Sequence, residues 1–225
     1  MRINKKIKIT TVLFILFISS VTASAEQNMF NYDYVSSRLF WNSLYPSGGW
    51  SLYCGYRFDG SRKTKDGKVM VIDHIYPTEW MIEHLKCKNR LECHETNNKE
   101  FKRMEADMHN LYPIWQSLVL FRNAHPFGEI AGEEWRFNDC DFEWNGDKVE
   151  PRSIAQGNIA RAIFYMHAKY RLPIKPDMLK LLKEWNRKDP PSKQEKERND
   201  IIEKIQGQRN PYIDNPSLAN KIQSQ

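Results

Sequence analysis

Residues 71–80 read VIDHIYPTEW and combine two signals. The run begins with β-branched, apolar residues that are typical of a strand, and Pro77 ends it. Asp73 and His74 stand side by side where this strand should end. A carboxylate and an imidazole at that place indicate either a polar pair on a surface turn or part of a catalytic site. The residues elsewhere in the chain decide between these two interpretations.

The segments around this strand predict an α+β fold with a small β-sheet and surrounding helices. Residues 51–58 (SLYCGYRF) are expected to form one strand, 59–68 (DGSRKTKDGK) a polar turn and 69–76 (VMVIDHIY) a second strand. Strand, turn and strand in this order predict a hairpin-like pair. Residues 29–44 predict a helix with an aromatic, apolar face.

Residues 96–112 (TNNKEFKRMEADMHNLY) predict a helix, because four apolar residues recur at helical spacing: Phe101, Met104, Met108 and Leu111. This stripe is interpreted as core packing. Pro113 is expected to end the helix nearby. Asn110 then lies on the last turn, on a face that it shares with Arg103 and Asp107 and that points away from the methionines.

The C-terminal half is predicted to be mainly helical. Helices are expected over residues 152–171, 176–187 and 192–206, the last with Ser192 as its N-cap. After Pro216 the chain is polar, and a frayed tail is expected.

The first 25 residues predict export. An apolar stretch, 11–21, is followed by the small-residue spacing of a signal-peptidase site at 23–25, and it is preceded by four basic residues: Arg2, Lys5, Lys6 and Lys8. The apolar core is about half of a membrane-spanning length, so a cleaved signal peptide, 1–25, is expected, with an uncleaved anchor as the alternative. The remaining residues, 26–225, are enough for a single domain with a real core.

Removal of the signal peptide lowers the net charge of the chain. The whole chain has 34 Lys and Arg against 28 Asp and Glu, and four of these bases but none of the acids lie in residues 1–25. The mature part therefore has 30 bases against 28 acids, a net charge of +2 instead of +6. A net charge this small predicts no general binding of polyanions, so nucleic-acid binding has to come from a local site.

Exported chains usually oxidise their cysteines, and this chain has four: Cys54, Cys87, Cys93 and Cys140. Three connectivities are possible. Because Cys87 and Cys93 close a short polar loop, we favour that bridge, with Cys54–Cys140 as the second. A zinc site with the histidines that lie nearby in sequence is the alternative, although the spacing is not that of a common zinc finger.

Asp73, His74 and Asn110 together are the residue types for one-metal phosphodiester hydrolysis. A carboxylate and an amide offer the hard oxygen ligands that suit Mg²⁺, which keeps several waters and accepts phosphate oxygens. A neutral imidazole near such an ion can take a proton from an attacking water. Neighbouring side chains in a regular strand point to opposite faces, so a shared site requires the strand to bend or end, as Pro77 predicts.

Several strings resemble the bacterial endonuclease I family of secreted or periplasmic nucleases, in the family's order and over about residues 35–214. The most specific are EADMHNLYP at 105–113 and RNDIIEKIQGQRNPYID at 198–214. The others are LYCG at 52–55, DHIYP at 73–77, EPR at 150–152 and GNIARAIFYMHAKY at 157–170. The resemblance implies a ββα-metal fold, in which a strand presents a histidine and strand and helix supply metal ligands.

By matching position, the resemblance implies that His74 is the general base and that Asp73 and Asn110 are the protein ligands of Mg²⁺. The family's usual pair at the first motif is Glu-His, whereas this chain has Asp-His. Aspartate is one methylene shorter, so ligation either directly or through a water is open. The arginine that stabilises the leaving phosphate in the family is here either Arg90 or Arg103.

The function implied is a Mg²⁺-dependent, sequence-non-specific endonuclease that leaves 5′-phosphate ends. DNA is the expected substrate, with RNA as a further candidate, and a monomer in the periplasm or outside the cell is expected. The basic residues of 57–68 either bind phosphates or form an ordinary solvated turn. The alternative function is an exported, disulfide-stapled nucleic-acid-binding module without hydrolytic activity.

Overall fold

The structure is a computed structural model that describes residues 29–96, 99–132, 137 and 139–224. The expected signal peptide, residues 1–25, lies outside the described residues. Within the described ranges, no helix is long and apolar enough to cross a bilayer.

Helices are the main secondary structure. Helix α1 begins with an α-helical turn, Tyr32–Tyr34, and continues as a π-helix, Val35–Leu44. The helices that follow are α2 (Thr78–His84), α3 (Arg90–Glu95), α4 (Lys99–Ala106), α5 (Val119–Arg122), α6 (Ser153–Tyr170), α7 (Pro176–Lys188), α8 (Lys193–Gln206) and α9 (Pro211–Asp214). Short 3₁₀ turns lie at Met108–Asn110, Gln116–Leu118 and Pro216–Lys221. The helices predicted over 29–44 and in the C-terminal half are confirmed, and Ser192 caps α8 as predicted.

The strands form antiparallel pairs. Strand β1 (Gly48–Trp50) pairs with β2 (Arg57–Asp59), β3 (Met70–His74) with β4 (Leu111–Trp115), and β5 (Phe142–Trp144) with β6 (Val149–Pro151). Small sheets among many helices confirm the α+β class. The β3–β4 register places Asp73 opposite Tyr112 and His74 opposite Leu111, and helix α5 follows β4, so the order β3, β4, α5 gives a ββα unit.

The hairpin predicted between residues 51–58 and 69–76 is wrong. Residues 51–58 are not one strand: β1 and β2 pair with each other, and the chain reverses between them. The turn depends on Gly55, whose φ of 66° lies in the left-handed region, and on Ser51, whose Oγ accepts the N–H of Tyr56. An apolar, aromatic run thus contained a tight turn, which left β3 free to pair with β4.

The helix predicted over 96–112 ends early. Helix α4 stops at Ala106, and the extended Asp107 caps the 3₁₀ turn by accepting the N–H of His109 at 3.1 Å. Pro113 does not end a helix but lies inside β4, opposite Ile72. Asn110 therefore lies on a 3₁₀ turn that leads directly into a strand, and the predicted helical face shared with Arg103 and Asp107 does not form.

The apolar stripe of this segment packs in the core, as predicted. All four of its side chains are fully buried: Phe101, Met104, Met108 and Leu111. Met108 and Leu111 belong to a cluster with the aromatic face of α1, whereas Phe101 and Met104 belong to the larger cluster around α6 and α7. The turn that carries Asn110 is thus held between two apolar clusters.

Two disulfides, Cys54–Cys140 and Cys87–Cys93, confirm the favoured connectivity. No cysteine is left free, so the alternative of a cysteinyl zinc site is wrong. The Cys54–Cys140 bridge spans 86 residues, and a loop of that length is expected to stabilise the fold by about 4–5 kcal/mol. The Cys87–Cys93 bridge closes the loop that leads into α3, the helix that carries Arg90.

The C-terminal tail differs from its expectation. Residues 216–221 form a 3₁₀ turn, and Ala219 and Ile222 are buried at 1% and 8% exposure. Lys183 of α7 donates to the carbonyl of Ile222 at 2.8 Å. Because the tail is polar in composition, its sequence did not indicate that these two apolar residues would hold it on α7.

A buried carboxylate ties the 3₁₀ turn to the C-terminal helices. Asp107 is only 3% exposed and accepts hydrogen bonds from four side chains: Tyr165 (2.9 Å), Lys169 (2.8 Å), Tyr170 (2.8 Å) and Gln206 (2.9 Å). Burial alone would raise the pKa of Asp107, but the charges of Lys169 and His109 and the hydrogen bonds lower it overall. The ionised carboxylate is therefore the form that the fold stabilises.

We expect Asp107→Asn to lower the free energy of unfolding at neutral pH by about 3 kcal/mol, because the substitution leaves the Lys169 ammonium without its anion. The folded-state pKa lies below the unfolded value, so this contribution is complete above the unfolded pKa and is lost as the pH falls through the folded one. Urea denaturation of both chains measures it. If the parent chain and Asp107→Asn differ in free energy of unfolding by the same amount at pH 7 and at pH 3, the ionised Asp107 carboxylate is not the source of the difference.

Candidate active site

The site lies where β3 ends. Both Asp73 and His74 keep the regular β3–β4 register, and only then does the chain leave the strand, with the extended Pro77 as the residue before α2. Their side chains consequently have different partners, as expected for neighbours in a strand. Asp73 contacts the turn after β1 and the end of α5, whereas His74 contacts the end of α4.

The imidazole of His74 is held in one orientation by the main chain. Its Nε2 lies 2.8 Å from the carbonyl oxygen of Glu105. Because a carbonyl only accepts, Nε2 carries the proton, and Nδ1 is the nitrogen with a free lone pair. Burial lowers the pKa of His74, outweighing the Glu105 carbonyl and the neighbouring carboxylates. The ring is therefore neutral near pH 7, the form that can accept a proton.

Tyr32 of α1 covers the His74 ring, with the two ring centroids 5.1 Å apart and tilted by 35°. Burial beside Glu105 raises the pKa of Tyr32 to about 12, so its phenol stays neutral. The guanidinium of Arg90 lies over the Tyr32 ring at 5.6 Å. The start of α1 thus contributes an aromatic wall to the site.

Glu105 links the histidine to a basic group. Its carbonyl holds His74, and its carboxylate, 1% exposed, binds Arg90 Nε at 2.5 Å and lies 2.9 Å from His94 Nε2. Arg90 remains 52% exposed, so its guanidinium is available to an anion. Arg103 instead lies over the ring of Phe30 at 4.5 Å. Of the two arginines considered from the sequence, the structure brings Arg90 to the histidine.

Asp73 is bound by a buried phenol and a buried arginine. Tyr53 OH donates to Asp73 Oδ2 at 2.6 Å, and Arg122 Nε donates to the Tyr53 oxygen at 2.9 Å. Arg122 Nε itself lies 3.6 Å from Asp73 Oδ2. Burial raises the pKa of Asp73 and outweighs the Arg122 charge and the Tyr53 hydrogen bond, which lower it. The Asp73 side chain is 19% exposed, so the carboxylate can still be reached.

Asn110 is fully buried, and both polar atoms of its side chain are in use. Its Oδ1 accepts the N–H of Tyr76 at 2.7 Å, and its Nδ2 donates to the carbonyl of Tyr76 at 3.0 Å. The Asn110 carbonyl also accepts the N–H of Ile75 at 2.9 Å. Asn110 therefore clamps the backbone just after His74 and does not present its amide oxygen to the surface.

A two-ligand magnesium site fits these residues only in part. Asp73 provides a reachable carboxylate, but the Asn110 oxygen is released only if its bond to Tyr76 breaks. Helix α5, the helix of the ββα unit, has the sequence VLFR, which contains no oxygen ligand. Among the described residues there is no cluster of three or more His, Cys, Asp or Glu suited to a metal. Of the two ligands that the resemblance implies, the described structure therefore leaves one, the Asp73 carboxylate, accessible without rearrangement.

The basic residues of 57–68 lie away from the histidine. Lys63 bridges to Val69, directly before β3, whereas His74 ends the strand, about 17 Å from Val69 along the chain. The guanidinium of Arg62 lies over the Trp41 ring at 4.8 Å, and Lys68 pairs with Asp66 and Asp139. This loop is exposed and can contact a long substrate, but it is not part of the site.

Four residues of the site had no role predicted from the sequence: Glu105, Tyr32, Tyr53 and Arg122. Two of these lie in strings that resemble the endonuclease I family and could have been found from the sequence: Glu105 begins EADMHNLYP, and Tyr53 lies in LYCG. Arg122 lies in no such string, and only the packing of α5 against the end of β3 reveals its contact.

The Endonuclease I family profile matches residues 23–217. An extracellular deoxyribonuclease of Aeromonas hydrophila is 32% identical over 168 residues, which cover 72% of this chain and 72% of that protein. Endonuclease-1 of Buchnera aphidicola subsp. Acyrthosiphon pisum is 30% identical over 188 residues, covering 80% and 72%. An extracellular ribonuclease of Bacillus subtilis is 30% identical over 162 residues, covering 64% and 54%. The profile and these relatives show that this chain belongs to the endonuclease I family and is an endonuclease.

Proposed function

We propose that the protein hydrolyses phosphodiester bonds of DNA without sequence preference, with His74 as the general base. The observation that carries this proposal is the bond between His74 Nε2 and the Glu105 carbonyl, since it leaves Nδ1 as the basic nitrogen in a ring that burial keeps neutral. The relatives named deoxyribonuclease support DNA as the substrate, and the relative named ribonuclease makes RNA a second substrate to test.

The chemistry needs one proton acceptor and charge stabilisation. His74 Nδ1 takes a proton from a water while the water oxygen bonds to phosphorus, and the bond from phosphorus to the 3′ oxygen breaks. The products are a 5′-phosphate and, once the leaving oxygen gains a proton, a 3′-hydroxyl. Arg90, half exposed beside His74 and fixed by Glu105, is placed to stabilise the phosphate charge.

Asp73 is the residue that would hold a magnesium ion. Nucleases of this family are generally metal-dependent, and Mg²⁺ is commonly bound by one or two carboxylates together with waters and substrate phosphates. When bound, the ion supplies positive charge to the phosphate in the transition state. Asn110 supports the site by clamping Tyr76, which keeps the end of β3 in place.

Contacts to phosphate and sugar carry no sequence information, so the exposed Arg90 and the basic loop at 57–68 fit a non-specific enzyme. The relatives named extracellular or periplasmic agree with the export predicted from residues 1–25. We propose that residues 26–225 act as a single nuclease domain, as a monomer, in the periplasm or outside the cell.

Cleavage of supercoiled plasmid by oxidised residues 26–225 tests the function. With Mg²⁺ we expect nicked and linear DNA and then short fragments, and with EDTA we expect intact plasmid. A ligase should rejoin the nicks without prior phosphorylation, because the ends carry 5′-phosphate. A parallel reaction with RNA tests the second substrate. Plasmid that is shifted in the gel but stays uncut with every divalent ion would support the binding-module alternative instead.

A further inference from the structure

The guanidinium of Arg122 is a buried cation whose position is fixed by the main chain. Its side chain is 0% exposed. Its Nη1 donates to the carbonyls of Asn123 (3.1 Å) and His125 (2.7 Å), and its Nη2 donates to the carbonyl of Ile75 (2.8 Å). These acceptors are neutral and lie in the turn directly after α5 and at the residue directly after β3. They leave Nε directed at Tyr53 and Asp73.

Tyr53 relays this charge to Asp73. Its hydroxyl accepts from Arg122 Nε and donates to Asp73 Oδ2, which lies 3.6 Å from the same Nε. The phenol is fully buried, so water does not compete for these two hydrogen bonds. One oxygen of the carboxylate is therefore engaged before any ligand arrives.

Building on the proposed function, we propose that Tyr53 and Arg122 are positioning residues of the reaction. They fix the carboxylate of Asp73 and offset its charge, so that the chain binds a divalent cation weakly alone and more tightly together with a nucleic-acid phosphate. The resting pair of Asp73 and Arg122 has no net charge, and a dication at Asp73 would lie close to the Arg122 cation. A bound phosphate adds the negative charge that the dication needs.

We therefore expect the cation and the nucleic acid to bind cooperatively, because the charge of each offsets the charge of the other. By linkage, nucleic acid must tighten cation binding by the same factor by which the cation tightens nucleic-acid binding. Mn²⁺ is the probe, because its free concentration can be measured by electron paramagnetic resonance. The chain carries His74→Ala to prevent cleavage, and a short DNA duplex is the nucleic acid.

We expect the Kd for Mn²⁺ to fall by at least about tenfold when the duplex is present, within the range of typical coupling energies. The same affinity for Mn²⁺ with and without bound duplex would overturn the inference while leaving the nuclease proposal intact. Failure to bind the duplex at all would overturn the proposed function, and the inference with it.

Variants at position 122 separate charge from structure. Arg122→Gln removes the cation, so Mn²⁺ should bind the free chain at least about tenfold more tightly. Arg122→Lys keeps the charge but loses the forked hydrogen bonds, and its affinity for Mn²⁺ should stay close to that of the parent chain. Arg187→Gln, which removes an exposed charge on α7, is the matched control and should change nothing.

A purely structural role would make the Gln and Lys variants behave alike, and equal affinities for Mn²⁺ in the two would overturn the inference. Circular dichroism and thermal unfolding show whether each variant is folded. If neither variant folds, the coupling measured on the chain with Arg122 intact decides the question by itself.

Discussion

His74→Ala should reduce plasmid cleavage by about 10²–10⁴-fold, the contribution of a positioned general base. The structure gives the reason, because the Glu105 carbonyl fixes Nε2 as the protonated nitrogen and leaves Nδ1 to accept a proton. The two other histidines close to Glu105 in sequence have different partners: His94 faces the Glu105 carboxylate, and His109 is buried against Gln208. Initial rates on supercoiled plasmid, at saturating Mg²⁺, measure the loss.

Affinity for DNA should be retained in this variant, because Arg90 and Asp73 stay in place. His84→Ala is the matched control, since His84 is exposed on α2 and has no contact with Asp73 or Glu105 among the described bonds. It should keep the parent rate. A His74→Ala chain that is folded and cleaves at the parent rate would rule out His74 as the base.

Among substitutions near the site that keep the size of the side chain, Asn110→Asp should lower the stability of the protein most. Aspartate has no N–H for the Tyr76 carbonyl, which would then face a buried, negatively charged oxygen. Removing one partner of a buried polar pair and leaving a charge costs about 3–5 kcal/mol. We expect a loss of stability of this size and a matching fall in cleavage, because the clamped residue, Tyr76, follows His74 by two positions.

The same substitution separates a clamp from a metal ligand. If Asn110 Oδ1 were a ligand, as the resemblance implies, a carboxylate of the same shape would hold Mn²⁺ at least as well and would keep the fold. Urea denaturation and a Mn²⁺ titration on the same sample distinguish these outcomes. Asn110→Ala is the uncharged control, and we expect it to cost less, about 1–3 kcal/mol.

Much of the fold was predictable because its signals are local. The period of apolar residues, the Ser192 cap and the proline after β3 act over a few residues, and the helices and β3 formed where these signals placed them. The failures were also local in origin: the turn on Gly55 lay within an apolar run, and α4 ended at Ala106, just before Asp107 and six residues earlier than predicted. In both places a hydrogen bond from a backbone N–H to a short polar side chain outweighed the apolar pattern.

The partners of the site residues were not predictable in this way, because they depend on long-range packing. Asn110 reaches Tyr76 across 34 positions, and Arg122 reaches the Ile75 carbonyl across 47. From the sequence, an asparagine in this motif is a possible ligand, whereas in the folded chain its amide is already bonded. Arg122 had no sequence signal, yet it lies next to Asp73.

By itself, the sequence indicated the family and the pair of Asp73 and His74 at the end of a strand, because these depend on residue identity and short-range order. For the disulfides it only favoured one of three connectivities, which the structure then confirmed. The tertiary structure alone decided which nitrogen of His74 is basic, which oxygen donors remain for a metal, and which cation offsets Asp73. The physical reason is that a side chain's chemistry is set by the groups packed against it, and distant segments bring those groups together only on folding.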